Sequence, residues 1–424
     1  MFFNTTKSTY LFLFLTTIFF LSSCKQTSEV SPQKNQETEI IPEEKDTIIV
    51  TAADQTAIYI PKIIGKKVGI IANQTSVINK ISKFNPEIKG IHLVDYLHNS
   101  DTIDVIKVFA PEHGFRGKAD AGEKVKDGID TKTGLPIISL YGKNKKPSAK
   151  QLEGIDFMIF DIQDVGARFY TYISTLHYVM EACAENNIPL LVLDRPNPNG
   201  HYVDGPMLET EHKSFIGMHK VPVVYGMTIG EYGKMINGEK WLKNGIQCDL
   251  TVVPIKNYTH HSTYSLPIKP SPNLPNDNSI NLYPSLCFFE GTNVSVGRGT
   301  SKQFQIVGSP FHHLKRHHYN FTPKPNEGAK YPKHENKECY GYDLSSEERL
   351  QQLNLQWLIE FYNAHKEYSK EKVFFTSFFT KLAGTKQLQQ QIEDGLSEEE
   401  IRKTWQKDLE EFKKVRARYL LYDE

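Results

Sequence analysis

Apolar residues occur in short continuous runs through the first half of the chain, and each run stops at polar groups. Lys67 to Ala72 ends at Asn73, and Val105 to Ala110 ends at Pro111, Glu112, His113 and Gly114. Phe157 to Phe160 ends at Asp161, Gln163 and Asp164, and Leu190 to Leu193 ends at Asp194 and Arg195. With a further run at 136–141, the pattern predicts strands over 67–73, 104–109, 136–141, 157–162 and 189–194. Strands this uniformly apolar belong to parallel sheets covered on both faces. Between the last two, Thr171 to Glu185 sets Leu176, Val179, Met180 and Cys183 at helical spacing. The alternation predicts the α/β class, with a Rossmann-like parallel sheet. It also lines the polar run ends along one rim, where open α/β sheets bind ligands. No Gly-x-Gly-x-x-Gly follows the first strand, so no dinucleotide is expected there.

The pattern changes near residue 261. Pro267, Pro270, Pro272, Pro275 and Pro284, with several Asn, predict an ordered joining loop rather than a helix over 266–284. Ser345 and Glu348 form a capping-box pattern ahead of Leu350, Leu353, Trp357, Leu358 and Phe361. Ser397 and Glu400 repeat it ahead of Ile401, Trp405, Leu409, Phe412, Val415 and Tyr419. Lys372 to Phe375, between the two predicted helices, is strand-like. The expected organisation is a Rossmann-like domain over 57–260 and a smaller α+β domain over 261–424.

The first 56 residues stand apart. Tyr10 to Leu21 is almost wholly apolar but shorter than the about 20 residues of a membrane span, as in the core of a secretory signal. Leu21-Ser22-Ser23-Cys24 then reads as a lipobox, so 1–24 is expected to be a lipoprotein signal and Cys24 the lipidated residue. Residues 25–56 are rich in Gln, Glu, Lys, Ser, Thr and Pro and are expected to form a flexible tether. Lys25 after Cys24 favours the periplasmic face of an outer membrane, with the cell surface as the alternative.

Charge narrows the chemistry. Lys and Arg total 50, Asp and Glu total 50, and no basic stripe suggests a nucleic-acid partner. Cys183, Cys248, Cys287 and Cys339 form no Cys-x-x-Cys and are expected to be buried thiols. His-Glu-x-x-His and Gly-x-Ser-x-Gly are absent, and His312 to His318 is a basic run without acidic neighbours. Neither a metal nor a cofactor is expected.

A cleft rich in carboxylates and arginines remains. Glu112, between Pro111 and a glycine turn, is the first candidate for a proton donor, with His113 to orient it or share the proton. Asp161, Gln163, Asp164, Arg168 and Tyr170 form a second group. Two readings stand for it: a shared catalytic mouth, or a helix cap with a neutralising arginine. Asp194, Arg195, Asn197 and Asn199 form a third group, read as ligand-binding side chains with plain turn chemistry as the alternative. Glu290, Asn293 and Arg298 lie in a Gly-rich run that lacks the phosphate-loop pattern. Their polar groups suit a sugar with many hydroxyls, or simply a structural loop. Cleavage of a glycosidic bond fits such a set, because one carboxyl must protonate the departing oxygen.

Taken together and in order, several motifs resemble the NamZ-type exo-β-N-acetylmuramidases. They are Phe109 to Gly117, Asp161 to Thr171, Asp194 to Gly200, Gly205 to Leu208, Tyr225 to Thr228, Ser271 to Pro275, Glu290 to Thr300 and Arg418 to Tyr422. The resemblance covers nearly all of 60–424. It implies a cleft between the two domains and release of terminal β-1,4-linked N-acetylmuramic acid from the non-reducing end of peptidoglycan fragments. It places Glu112 at the family's leading catalytic glutamate. Val296, Lys302-Gln303-Phe304 and Asp204 depart from the family pattern and bear on substrate preference. The lactyl carboxylate of such a sugar calls for a cation, with Arg116, Arg168, Arg195 and Arg298 as candidates. Its acetamide is a candidate nucleophile, oriented by Asp161 or Asp164, while enzyme-nucleophile and inverting routes stay open. A non-catalytic peptidoglycan-binding lipoprotein, or a deacetylase or esterase, is the alternative.

Overall fold

Seven strands make the central sheet: β1 (Lys67–Ala72), β2 (Asp104–Ala110), β3 (Gly128–Ile129), β4 (Pro136–Ser139), β5 (Phe157–Asp161), β6 (Leu190–Leu193) and β7 (Leu250–Val253). They lie in the order β3-β4-β2-β1-β5-β6-β7, all parallel except the short edge strand β3. The chain builds outward from β1 through β2 to β4, then crosses back to build β5, β6 and β7 on the other side. This reversal at β1 is the Rossmann-like switch point, and ligands bind outside the carboxyl ends of the strands there. The computed structural model describes residues 48–79, 90–112, 114–116, 127–311, 319–369 and 373–424. Cys24 and the rest of the segment through 47, His113, His312 to His318 and Lys372 lie outside them.

Each expected strand forms, because its apolar residues face helices on both sides of the sheet. Ile71, Phe109, Met158 and Phe160 pack into one core, and Val68, Ile70, Val108 and Ile159 into a second. Helix α1 (Tyr172–Glu185) covers the first core with Leu176, Val179, Met180 and Cys183, all 0% exposed. Helix α2 (Ile229–Gly238) lies beside it, started by a capping box of Thr228 and Glu231. All four of the later cysteines are buried free thiols.

The later half adds a three-stranded antiparallel sheet of β8 (Ile306–Ser309), β9 (Tyr319–Phe321) and β10 (Cys339–Asp343), with β10 central. Its helices include α3 (Asp277–Leu286), α4 (Gln356–Tyr368), α5 (Ser377–Ala383) and α6 (Glu398–Arg416). Phe288, Leu358, Phe379 and Trp405 share one hydrophobic cluster with Phe160 of the sheet and Ile173 of α1. Burying each such side chain contributes about 1.5–3 kcal/mol. The core therefore runs without a break past residue 260.

Four expectations change in the structure. Residues 48–56 are not tether: Val50 bridges Lys256, and the Ala52 amide donates to the Asp194 carbonyl at 3.1 Å. Their small apolar side chains let the segment pack, with Ala52 and Ala53 fully buried. The proline-rich 266–284 stretch does contain helix, since α3 begins with an Asn276–Ser279 capping box and carries Pro284 inside it. Pro284 cannot supply the amide that the Ile280 carbonyl would normally accept. Asn199 Nδ2 donates to that carbonyl instead, at 3.0 Å. The helix after Ser345 begins only at Gln356, because Ser345 turns back to bond Asp343 through both its amide and its hydroxyl. The Ser397 box does start α6 as expected. The described part of 372–375 forms a single bridge, Phe375 to Thr292, rather than a strand.

Candidate active site

Glu112 lies two residues beyond the end of β2, next to the switch point. Pro111 ends the ladder, and Gly114 turns the chain with φ of 81°, closing a bond from its amide to the Pro111 carbonyl at 3.1 Å. Such a φ is open to glycine at little cost. The half-buried Glu112 is braced from neighbouring elements. Thr171, just before α1, donates from Oγ1 to Glu112 Oε2 at 2.8 Å. The Tyr172 hydroxyl donates to the Glu112 carbonyl at 3.1 Å and accepts from Asn73 Nδ2 at 2.9 Å. Tyr141, beyond β4, presents its phenol to the same carboxylate. Burial, then the charge of Glu112 and a hydrogen bond to it, raises the Tyr141 phenol above its ordinary value. Burial followed by the Glu112 charge does the same at Tyr172.

Glu112, Tyr141, Thr171 and Tyr172 line a cavity of about 540 Å³. That lies within the roughly 300–1,000 Å³ common for small-molecule sites. Glu290 and Arg298 also line it, as a two-point ion pair with Nε–Oε1 3.2 Å and Nη2–Oε2 3.1 Å. Lys333 lies close by, its ammonium donating to the carbonyls of Phe289 at 3.0 Å, Thr292 at 2.6 Å and Val294 at 3.0 Å. Burial lowers the Lys333 ammonium below its usual value, with the Glu290 charge opposing. The cavity thus holds a carboxyl able to exchange a proton, tyrosine hydroxyls around it, and a cluster of one acid and two bases.

Of the residues expected at the site, Glu112, Tyr170, Glu290 and Arg298 line this cavity. Tyr170 anchors its hydroxyl on the Pro270 carbonyl at 2.9 Å. Asp161, Gln163, Asp164, Arg168, Asp194, Arg195, Asn197 and Asn199 are buried instead and hold the fold. Asp161, fully buried, is clasped by Arg195 through Nε at 2.6 Å and Nη2 at 2.9 Å. Burial works against the charge on Arg195, and the Asp161 carboxylate more than offsets this. Asp164 accepts from the Gly166 amide at 2.8 Å and from the Tyr225 hydroxyl, and burial raises it to about 6. Gln163 donates to the carbonyls of Asp164 and Pro196.

Asp194 accepts from the Gly230 amide and the Thr228 hydroxyl at the start of α2, where a helix dipole favours an acid. Burial raises Asp194 to about 7. Asn197 donates to the Met227 carbonyl at 2.8 Å, and Asn199 serves α3 as described. Arg168 is fully buried and donates to the carbonyls of Pro206, Val221, Leu382 and Ala383. Burial lowers it to about 9. Arg116 pairs with Asp95 at 3.0 Å and Asp130 at 2.8 Å, and Asn293 bonds the Val373 carbonyl and His365. Of the four arginines considered for an anion, Arg298 alone lines the cavity.

Tyr141, Thr171, Tyr172 and Lys333 were not singled out in the sequence. Tyr141 closes the predicted strand 136–141, so the rule that found Glu112 would have found it too. Thr171 and Tyr172 open the helix after the Asp161 group, a place the alternation already marked. Lys333 carries no local signal, since its position depends on a loop folding back on 289–294.

The Exo-beta-N-acetylmuramidase NamZ family models match this chain, the N-terminal one over residues 68–278 and the C-terminal one over 281–422. The chain is 38% identical over 434 residues to the peptidoglycan beta-N-acetylmuramidase NamZ of Bacillus subtilis, covering 97% of this chain and 99% of that protein. Crystal structures of two DUF1343 family proteins of Bacteroides fragilis have the same fold. One is 44% identical with a TM-score of 0.80, over 89% of this chain and 99% of the other. The second is 28% identical with a TM-score of 0.74, over 89% and 100%. With both halves matched and the relatives spanned nearly end to end, this chain belongs to the NamZ exo-β-N-acetylmuramidase family.

Proposed function

We propose that this protein is an exo-acting glycoside hydrolase that releases terminal β-1,4-linked N-acetylmuramic acid from the non-reducing end of peptidoglycan fragments. The observation that carries the reading is Glu112, a braced carboxyl at the switch point that opens into the large cavity. It acts as general acid, protonating the glycosidic oxygen as the bond to the sugar breaks, and then as base toward water. Among the described residues, Glu290 is the other carboxylate lining the cavity, and Arg298 holds it in an ion pair. Asp161 and Asp164 point into the protein and cannot orient a substrate amide directly. This removes the expected orienting partners of the sugar's own acetamide and leaves Glu290 as the second carboxylate within the cavity. Arg298, with Lys333 behind it, is the cation suited to the lactyl carboxylate.

A chromogenic β-N-acetylmuraminide and its N-acetylglucosaminide counterpart test this directly. Release is expected from the muramic acid compound, and equal release from both would remove the role of the lactyl group. The lipobox at Leu21 to Cys24 supports export and anchoring through a lipid on Cys24, with the catalytic unit at the periplasmic face of an outer membrane. Cys24→Ala should then abolish incorporation of radiolabelled palmitate, and a variant that still takes up label would refute the assignment.

A further inference from the structure

Exposed aromatic side chains are concentrated on the solvent side of the cavity. Tyr331 is 90% exposed and Phe378 39% exposed, and both line it. Phe215, half-buried, lines it as well. Their backbones come from three separate segments, each held in place. Tyr331 sits two residues before Lys333, whose ammonium ties that loop to the 289–294 turn. Phe378 lies in the first turn of α5, where Thr376 bonds both the Phe378 amide and the Gly291 carbonyl. Phe215 lies within a turn closed by paired bonds between Ser214 and Gly217. Its ring stacks on Tyr178 at 6.3 Å, with the Lys145 ammonium 4.4 Å from its centre. The Tyr331 and Phe378 rings, left in water on fixed backbones, are the mark of a binding surface, since their contact area costs little ordering when a ligand arrives.

We propose that Tyr331, Phe378 and Phe215 form a platform for the sugar rings on the reducing side of the scissile bond. The protein would then act preferentially on glycan chains rather than on single-sugar glycosides. This rests on the reading that a terminal N-acetylmuramic acid occupies the inner cavity beside Glu112. A glycan that enters by its terminal sugar leaves its remaining rings toward solvent, which is where these aromatics stand. The faces of pyranose rings carry axial C–H groups, which pack on aromatic faces, while the ring hydroxyls stay in water. Tyr331 also offers a phenol at its wet end, as amphipathic aromatics do at interfaces.

The test compares kcat/KM for methyl β-N-acetylmuraminide with that for a tetrasaccharide of alternating N-acetylmuramic acid and N-acetylglucosamine, muramic acid at its non-reducing end. The tetrasaccharide should be favoured by at least about 10-fold, equivalent to one good ring contact of about 1.4 kcal/mol. Tyr331→Ala and Phe378→Ala should each cut that preference by at least about 5-fold, mainly through KM, the signature of lost binding rather than lost chemistry. Tyr331 is so exposed that its replacement should leave the fold intact, so a preference unchanged in Tyr331→Ala overturns the proposal. If neither compound is hydrolysed, the reading of the inner cavity has failed. Calorimetric binding of the tetrasaccharide to Glu112→Gln, with and without Tyr331→Ala, then decides the platform alone: weaker binding supports it and equal binding overturns it.

Discussion

Glu112→Gln should lower turnover of a β-N-acetylmuraminide by at least about 10², the lower end of what a positioned acid contributes. The replacement keeps the size of the side chain and leaves an oxygen for the Thr171 hydroxyl, which reaches Oε2 at 2.8 Å. The Tyr172 hydroxyl bonds the backbone of residue 112 and is indifferent to the change. The loss should therefore fall on kcat with little change in KM, because the amide cannot give up a proton to the departing oxygen. A good leaving group such as a nitrophenolate needs less protonation, so the loss should be smaller there than on the natural disaccharide. Equal losses on both, or retained activity, would move the acid role to another residue.

Arg195→Met should destabilise the fold by about 3–5 kcal/mol, because it strands a buried carboxylate. Asp161 is fully buried, and Arg195 supplies both of its side-chain ion contacts. Arg195 also donates to the Val77 carbonyl at 3.1 Å, so β5, β6 and the segment after β1 lose a common tie. Denaturant unfolding measures the effect. The double variant Asp161→Asn, Arg195→Met should recover much of the loss, since replacing both members of a buried pair removes the uncompensated charge. A single variant as stable as the parent would show that water reaches Asp161 and would return it to consideration as a site residue.

The sheet was legible because parallel strands advertise themselves as unbroken apolar runs, and five of the seven were found that way. β3 and β7 were not singled out: β3 has only two residues, and β7 (Leu250–Val253) is fully buried only at its last position, with Thr251 exposed. The place of Glu112 on the cavity was legible because strand ends at a switch point collect ligand-binding groups. The same rule overreached at Asp161, Asp194 and Arg195. A carboxylate at a strand end can serve a ligand or can hold loops together, and burial decides between these uses. Sequence carries the position of a side chain on its strand but not the loop that later covers it. The helix at Asp277–Leu286 was hidden for a related reason. Its proline is tolerated because of Asn199, a residue more than 80 positions away.

Arg168 draws a limit on how the molecule can move. Its guanidinium takes two carbonyls from the Pro206–Val221 side and two from the end of α5, with no carboxylate among them. Rocking those two sides apart would uncouple all four acceptors from a charge that has no other partner inside. The cleft is thus riveted rather than hinged. Among the described residues, this tie favours a cleft already shaped when a sugar arrives.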